Sequence, residues 1–396
     1  MAELTVRPGN PDFLDLPWET PLGDWDIEHL VELPKGISRH TVRFVAYDDG
    51  IYAIKELPTE PAKRDYQILR ALEPLSVPSV TAVGLVERRT DDPTEERSAA
   101  LITRYVDFSF SYRELLQGPG FGTRRNQMLD AFANLLVELH LAGCFWGDCS
   151  LSNVLYRYDG PAIETIMVDG ETASIYENLS TGRREEDLSI MELNVAGGMA
   201  DIAAASGTDL DVADLALGED ISARYRGLWK ELTTQISIGP DERHHIDERI
   251  ERLNSLGFTV DEIEVRPDEH RMVVRAKVVG RTYHHDRLRE LTGIDALENQ
   301  ARQILSDVYY YQARMKGPGS TGKSVAAVRW RVSEFEPMME QLRKTDGVLD
   351  PLQAFCDVLH HRYLASQAAG TDVGTRQAYV GWVAEGRPGY DVSGNS

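Results

Sequence analysis

Apolar and polar residues alternate along "VRFVAYDDGIYAIK", Val42 to Lys55, and the alternation breaks once, at Asp48, Asp49 and Gly50. Successive side chains of a strand point to opposite faces, so this stretch predicts two strands joined by a hairpin. The period then changes. "PAKRDYQILRALE" predicts a helix with Pro61 in its first turn and Thr59 as its cap. "SVTAVGLVERR" and "SAALITRYV" give two more strands around an acidic loop from Thr90 to Glu96. In "RRNQMLDAFANLLVELHLAG", Met128, Phe132, Leu135, Leu136 and Leu139 fall on one helical face, and Gly143 ends the helix. "NVLYRY" and "ETIMVD" predict a second hairpin, turning at Asp159-Gly160-Pro161. "REEDLSIMELNVAGGMADIAAA" reads as a further helix, weakened by Gly197 and Gly198.

The last 190 residues or so have their own pattern. "DERHHIDERIERLNSLGF" is a charged helix with a Gly stop, and "FTVDEIEVRPDEHRMVVRAKVVG" a hairpin turning at Pro267 and Asp268. "ENQARQILSDVYYYQARM" is a long helix; "FEPMMEQLRK" and "PLQAFCDVLHHRYLASQ" are shorter ones. Periodicity is missing at both ends. Residues 1–25 are Pro-rich and are expected to lie extended over the surface, and 368–396 are polar and Gly-rich and expected to be disordered. The chain therefore divides into a β-rich part (26–110), a helical part (111–208) and a mostly helical accessory domain with a β-hairpin (209–367). Its class is α+β.

Composition narrows the function. A chain of 396 residues with 42% apolar content can bury a real core. A formal net charge of −22 argues against a general binder of nucleic acid or anionic membrane, which needs a basic footprint. The three cysteines, Cys144, Cys149 and Cys356, form neither an even framework nor a CxxC pair. The start, "MAELTVRPGNPDFLDLPWETP", lacks the basic and apolar runs of a signal peptide, and no stretch approaches the roughly 20 apolar residues of a membrane span. A cytoplasmic location is expected.

Candidate chemistry sits in "HLAGCFWGDCSLSNVLYRYDGPAIETIMVDGE", His140 to Glu171. A hairpin brings its open ends together, so Asn153 and Asp169 should emerge side by side. An amide oxygen and a carboxylate are hard donors, suited to Mg²⁺ held jointly with phosphate oxygens. Asp148, in the loop just before, could accept a proton from an attacking hydroxyl. The Asp-x4-Asn spacing, with a later aspartate, matches the base and metal ligands of kinases, which also need a lysine on an upstream strand. "YAIK" supplies it at Lys55, and Asp65 on the following helix is the acid best placed to hold it.

On these residues, 30 to about 205 resemble the protein-kinase-like fold. More narrowly they resemble the lipopolysaccharide kinase and aminoglycoside phosphotransferase relatives, which write the catalytic loop with Gly-Asp, as Gly147-Asp148 does here, where protein kinases write Arg-Asp. Asp187 resembles the structural aspartate opening the next helix in that fold. The resemblance implies two lobes, a β-rich N-lobe and a helical C-lobe. About 210 to 365 is similar to a domain of unknown function that follows kinase-like domains in some bacterial proteins, and implies no activity. Several positions depart from the pattern. The glycine-rich loop is reduced to Gly36 in "ELPKGISRHTVRF", with Lys35, Ser38, Arg39 and His40 as substitute phosphate donors. Asp65 is one methylene shorter than the usual glutamate. Asp169-Gly170-Glu171 replaces Asp-Phe-Gly, and 17 residues between Asp169 and Asp187 leave no room for a long activation loop.

Other motifs carry less. "GPGSTGKS", Gly317 to Ser324, fits the P-loop pattern, but no strand precedes it, so it reads as a flexible connector. The doublets His244-His245, His284-His285 and His360-His361 point about 100° apart on a helix and read as surface or packing residues. Arg271, Arg275, Lys277 and Arg281 form the basic face of a strand that pairing with Glu262 and Glu264 would satisfy.

The expected activity is an ATP- and Mg²⁺-dependent transfer of the γ-phosphoryl group to a hydroxyl of a small molecule, glycan or lipid-linked sugar. Lys55, Asp65, Gly36, Ser38 and Arg39 would bind nucleotide, Asn153 and Asp169 metal, and Asp148 would serve catalysis. A nucleotide-binding scaffold or sensor of pseudokinase type, acting on a protein partner or on a second copy through its accessory domain, is the alternative. AMP transfer on the same fold is a third possibility.

Overall fold

The computed structural model describes residues 2–33, 40–112, 121–207, 209, 212–239, 242, 244–268, 271–315 and 323–389. They form two compact units, 1–157 with 165–231, and 158–164 with 232–396.

The first unit opens on an antiparallel sheet of six strands: β1 (Glu3–Val6), β2 (Leu30–Val31), β3 (Val42–Tyr47), β4 (Gly50–Leu57), β5 (Ala82–Glu87) and β6 (Ala99–Arg104), in the order β1-β5-β6-β4-β3-β2. The first hairpin forms where the alternation breaks: Tyr47 faces Gly50 and Val42 faces Lys55. Strand geometry then sorts neighbours to opposite faces. Ala100 and Ile102 join Val45, Tyr52 and Ile54 on one face; Ala99 and Leu101 join Leu57, Ala62, Leu69 and Ile166 on the other. The helix Thr59–Leu72 supplies Ala62 and Leu69 to the second face. Its first turn differs from expectation. Pro58 holds the cap position, and the Thr59 hydroxyl lies 3.1 Å from the Ser98 hydroxyl instead.

What covers the first face corrects the sequence reading. Residues 1–25 are not a loose surface segment: β1 pairs with β5, Leu4 opposite Val86. Phe13, Leu16, Trp18, Leu22 and Trp25 are buried against Tyr52 and Ile54. The indole N–H groups of Trp18 and Trp25 donate to the carbonyls of Phe13 and Thr20 at 2.8 and 3.0 Å. Buried Arg89 donates to the Trp18 and Thr20 carbonyls and lies 2.7 Å from Glu56, whose carboxylate accepts the Leu22 N–H. Each such large side chain, once buried, contributes about 1.5–3 kcal/mol. Without this segment half the sheet would face water.

The helix Phe121–Leu141 leads into β7 (Cys144–Phe145), a 3₁₀ turn at Leu151–Asn153, and the second hairpin, β8 (Val154–Asp159) with β9 (Ala162–Met167). Strand β10 (Ser174–Ile175) returns to pair with β7. The helix Thr181–Ser206 starts on a Ser180 side-chain cap and ends at Gly207, in the left-handed region at φ 64°. Gly197 and Gly198 do not interrupt it.

In the second unit, β11 (Ile236–Ile238), β12 (Thr259–Asp268) and β13 (Arg271–Gly280) make a sheet in the order β11-β13-β12. Strand β12 runs through Pro267 and Asp268, where the pattern placed the turn. Glu262 faces Lys277, with 3.3 Å between charged groups, and Glu264 faces Arg275; the basic face has its cross-strand partners. Helices Glu298–Arg314, Lys323–Trp330, Glu336–Arg343 and Pro351–Ala369 enclose Leu305, Trp330, Phe335, Leu342 and Phe355. The tail expected to be disordered from 368 instead forms a helix, Thr375–Ala384, because Ala378 and Trp382, one turn apart, enter this core. Residues 390–396 and Gly317 to Gly322 of the P-loop-like stretch lie outside the described residues. Within this unit, buried Asp159 accepts hydrogen bonds from the Asn299 N–H and amide and the Gln300 N–H, at 3.1, 2.8 and 2.7 Å. It thereby caps the helix Glu298–Arg314. No helix among the described residues is long and apolar enough to cross a membrane.

Candidate functional site

The loop carrying Asp148 is organised from below by Asp187, in the second turn of the helix Thr181–Ser206. Fully buried Asp187 accepts from the Trp146 and Gly147 N–H groups, both at 2.7 Å, and lies 3.1 Å from His140 Nε2. Gly147 takes φ 78°, where a side chain is strained, and a Cβ there would sit 3.1 Å from the Thr172 carbonyl oxygen. This is the local reason for Gly-Asp in place of Arg-Asp. The other side of His140 meets the Tyr225 hydroxyl at 2.7 Å. Burial pushes the imidazole pKa below its ordinary 6.5, with Asp187 pulling the other way. A neutral ring accepting from Tyr225 and donating to Asp187 satisfies both bonds. Burial pushes the Cys144 thiol up to about 12 and Cys149 well above 9, so both are packing groups rather than nucleophiles.

Above this base the Asp148 carboxylate is held on both oxygens. Asn153 Nδ2 donates to Oδ2 at 2.9 Å and to the Asp148 carbonyl at 3.0 Å. Asn194, from the helix Thr181–Ser206, donates to Oδ1 at 3.0 Å and to the Cys149 carbonyl at 3.2 Å. Asn194 was not legible in the sequence; a lone amide on a helix face carries no motif. The open end of the second hairpin does join its two termini, since the Val168 N–H donates to the Asn153 carbonyl at 3.1 Å. The Trp146 indole donates to the Asp169 carbonyl at 2.8 Å. The Asp148 loop and the Asp169 strand end are thus fastened to each other through main-chain groups.

Lys55 reaches this assembly from β4. Its ammonium lies 2.8 Å from Asp169 Oδ2, 3.5 Å from Asp65 Oδ2 and 3.9 Å from Glu171 Oε2. Burial alone would lower the lysine pKa, but the charges of Asp169, Asp65 and Glu171 raise it on balance, so it stays an ammonium. Asp65 is fully buried. Desolvation pushes its carboxyl up to about 7, with Lys55 pulling it down and Asp169 pushing it up. Its closest bond is to the backbone: the Gly170 N–H donates to Oδ1 at 2.8 Å. Asp65 therefore fixes the chain after Asp169 more closely than it holds Lys55. The space is tight there, for a Cβ on Gly170 would lie 2.9 Å from Ile68 Cγ2. Glu171, noted in the sequence only as the last residue of Asp169-Gly170-Glu171, proves to be a third carboxylate beside the lysine.

Lys55, Asp65, Asp148, Asn153 and Asp169 thus come together, through the contacts above. Gly36, Ser38 and Arg39 lie outside the described residues. His40, next to them, sits 2.9 Å from Glu96 and 3.5 Å from Glu171. The donor set is chemically telling. The hydrogen bonds of the Asn153 side chain run through its nitrogen, and an amide oxygen and a carboxylate are both hard donors. One ammonium among three carboxylates leaves a surplus of negative charge. Oxygen donors with such a surplus fit a hard divalent cation.

Residues 49–215 match the lipopolysaccharide kinase (Kdo/WaaP) family model, and residues 227–386 match a domain of unknown function, DUF4032. No curated protein matches. Among solved structures, "WaaP in complex with acyl carrier protein" is similar at 16% identity and a TM-score of 0.34, over 57% of this chain and 87% of that one. Over residues 49–215 the chain is thus similar to the lipopolysaccharide kinase (Kdo/WaaP) family, which supports a kinase, and a match to a domain of unknown function follows.

Proposed function

We propose that the first unit uses ATP and Mg²⁺ to phosphorylate a hydroxyl of a sugar, glycan or lipid-linked sugar in the cytoplasm, the six-stranded sheet acting as the small lobe and the helices as the large one. The observation that carries this is the linked set Lys55–Asp169, Asp169–Trp146 and Asn153–Asp148, which gathers a cation for phosphate, donors for metal and a carboxylate at one place. Lys55 would turn from Asp169 to the nucleotide phosphates. Asn153 and Asp169 would hold Mg²⁺, whose chemistry there is to neutralise the charge on the transferring phosphate. Asp148, kept in one orientation by Asn153 and Asn194, would orient the acceptor hydroxyl and take its proton as the phosphoryl group arrives. Glu171 adds negative charge that favours the metal-loaded state.

The test is ATP turnover with Mg²⁺ over a panel of sugar and lipid-linked acceptors, with nucleotide products separated by chromatography. ADP formation is expected, reduced at least about 100-fold by Asp169→Ala and by Asp148→Asn. Turnover by Asp169→Ala at the wild-type rate would refute the metal assignment. Calorimetric binding of Mg-ATP by wild type without turnover on any acceptor would favour the scaffold reading, and AMP as product would favour nucleotidyl transfer.

A further inference from the structure

The second unit holds a cleft of about 850 Å³, a size that admits an ordinary small organic ligand. Its walls come from the helices Glu298–Arg314 and Thr375–Ala384 and from a short π-helix, Arg331–Phe335, which contributes Glu334. π-Turns are rare and collect at functional sites.

Beneath it lies an ion network. Arg362, largely buried, bonds both oxygens of Asp372 at 2.8 Å, Asp307 at 2.9 Å and the Thr375 hydroxyl at 3.1 Å. Trp330 donates to the other Asp307 oxygen at 2.7 Å, and Thr375 donates to Glu334 at 3.2 Å. Several kcal/mol per ion are lost when such groups leave water, so a network of this kind is weak evidence for stability and is worth reading for function.

Donors and acceptors do not balance at the cleft. Each carboxylate already has a partner: Asp307 has Arg362 and Trp330, Glu334 has Thr375 on one oxygen, and Asp372, outside the lining, has Arg362, Arg314 and the Gly374 N–H. The donors are in surplus. Arg376 makes no ion pair among the described residues, and Arg314, 61% exposed, uses one nitrogen on Asp372. A ligand suited to spare guanidinium donors is rich in acceptors, and Arg is the side chain that matches phosphate and carboxylate geometry. Tyr310, with both Arg314 and Arg362 near its ring, and Val373 and Val380 offer a less polar wall for the body of such a molecule.

We propose that this cleft is a binding site for a small organic anion, a phosphate ester or a carboxylate, gripped by Arg314 and Arg376. The site stands independently of the kinase assignment. The test is calorimetry on the full chain with three probes of one ring type: glucose 6-phosphate, glucuronate and glucose. At least one anion is expected to bind about 10-fold or more tighter than glucose, and the stronger of the two identifies the head group. Arg376→Gln and Arg314→Gln should each weaken that anion about 10-fold, whereas Asp169→Ala in the first unit should leave it unchanged. Failure of both anions to exceed glucose, or equal affinity in the Arg314→Gln/Arg376→Gln double variant, would overturn the proposal. So would loss of binding in Asp169→Ala alone, which would place the anion in the other unit.

Discussion

Asn194 is a single amide whose effect can be separated from those of its neighbours. It touches Asp148 Oδ1 and lies on a helix held by Asp187, so removing it frees one carboxylate oxygen without disturbing Lys55 or Asp169. Asn194→Ala is expected to lower kcat about 10- to 100-fold while KM for ATP stays within about 2-fold, measured by steady-state kinetics. A matched loss in KM would mean that the amide supports the nucleotide instead. Gly147 gives a second test. Gly147→Arg restores the residue that protein kinases carry but forces a side chain into φ 78°, at a cost of about 1–2 kcal/mol, and should lower the melting temperature. The sequence makes Asp148, Asn153 and Asp169 visible because a hairpin necessarily joins its ends. Spacing alone could not place Asp65 against the Gly170 N–H or Glu171 beside Lys55, because those contacts depend on how a helix packs against a distant strand end.

Among elements, those with a clear period were legible: the hairpins of Val42–Leu57 and Val154–Met167, the helix of Phe121–Leu141 and the basic strand. The terminal segments were not. Phe13, Leu16, Trp18, Leu22 and Trp25 follow no period because they cross a sheet face irregularly, each held by local backbone bonds. The helix Thr375–Ala384 offers only Ala378 and Trp382 as an apolar pair, between polar and glycine residues. Trp382→Ala should cost about 3–5 kcal/mol, read as a drop in the melting temperature of the second unit. The His140 anchor makes a pH prediction. Its folded pKa lies below 6.5, so the unfolded chain takes up a proton first as pH falls. The stability it confers is complete above about pH 6.5 and declines toward the lower folded pKa. The melting-temperature gap between wild type and His140→Gln is therefore expected to narrow from pH 7.5 to pH 5.

At the scale of the whole molecule, a net charge of −22 makes self-repulsion a general term. Raising monovalent salt from about 10 mM to about 500 mM shrinks the Debye length from about 30 Å to a few ångströms. The melting temperature should rise across that range. A fall would show that ion pairs such as the Arg362 network outweigh the repulsion.

The way residues 1–25 complete the sheet has a consequence for synthesis. Trp18 and Trp25 complete their core only after β6 has emerged, near residue 104, since Ala100 and Ile102 share it. Until then the aromatic segment has only the earlier strands of that core to pack against. A tag or fusion placed directly before this segment would burden the step on which the small sheet waits.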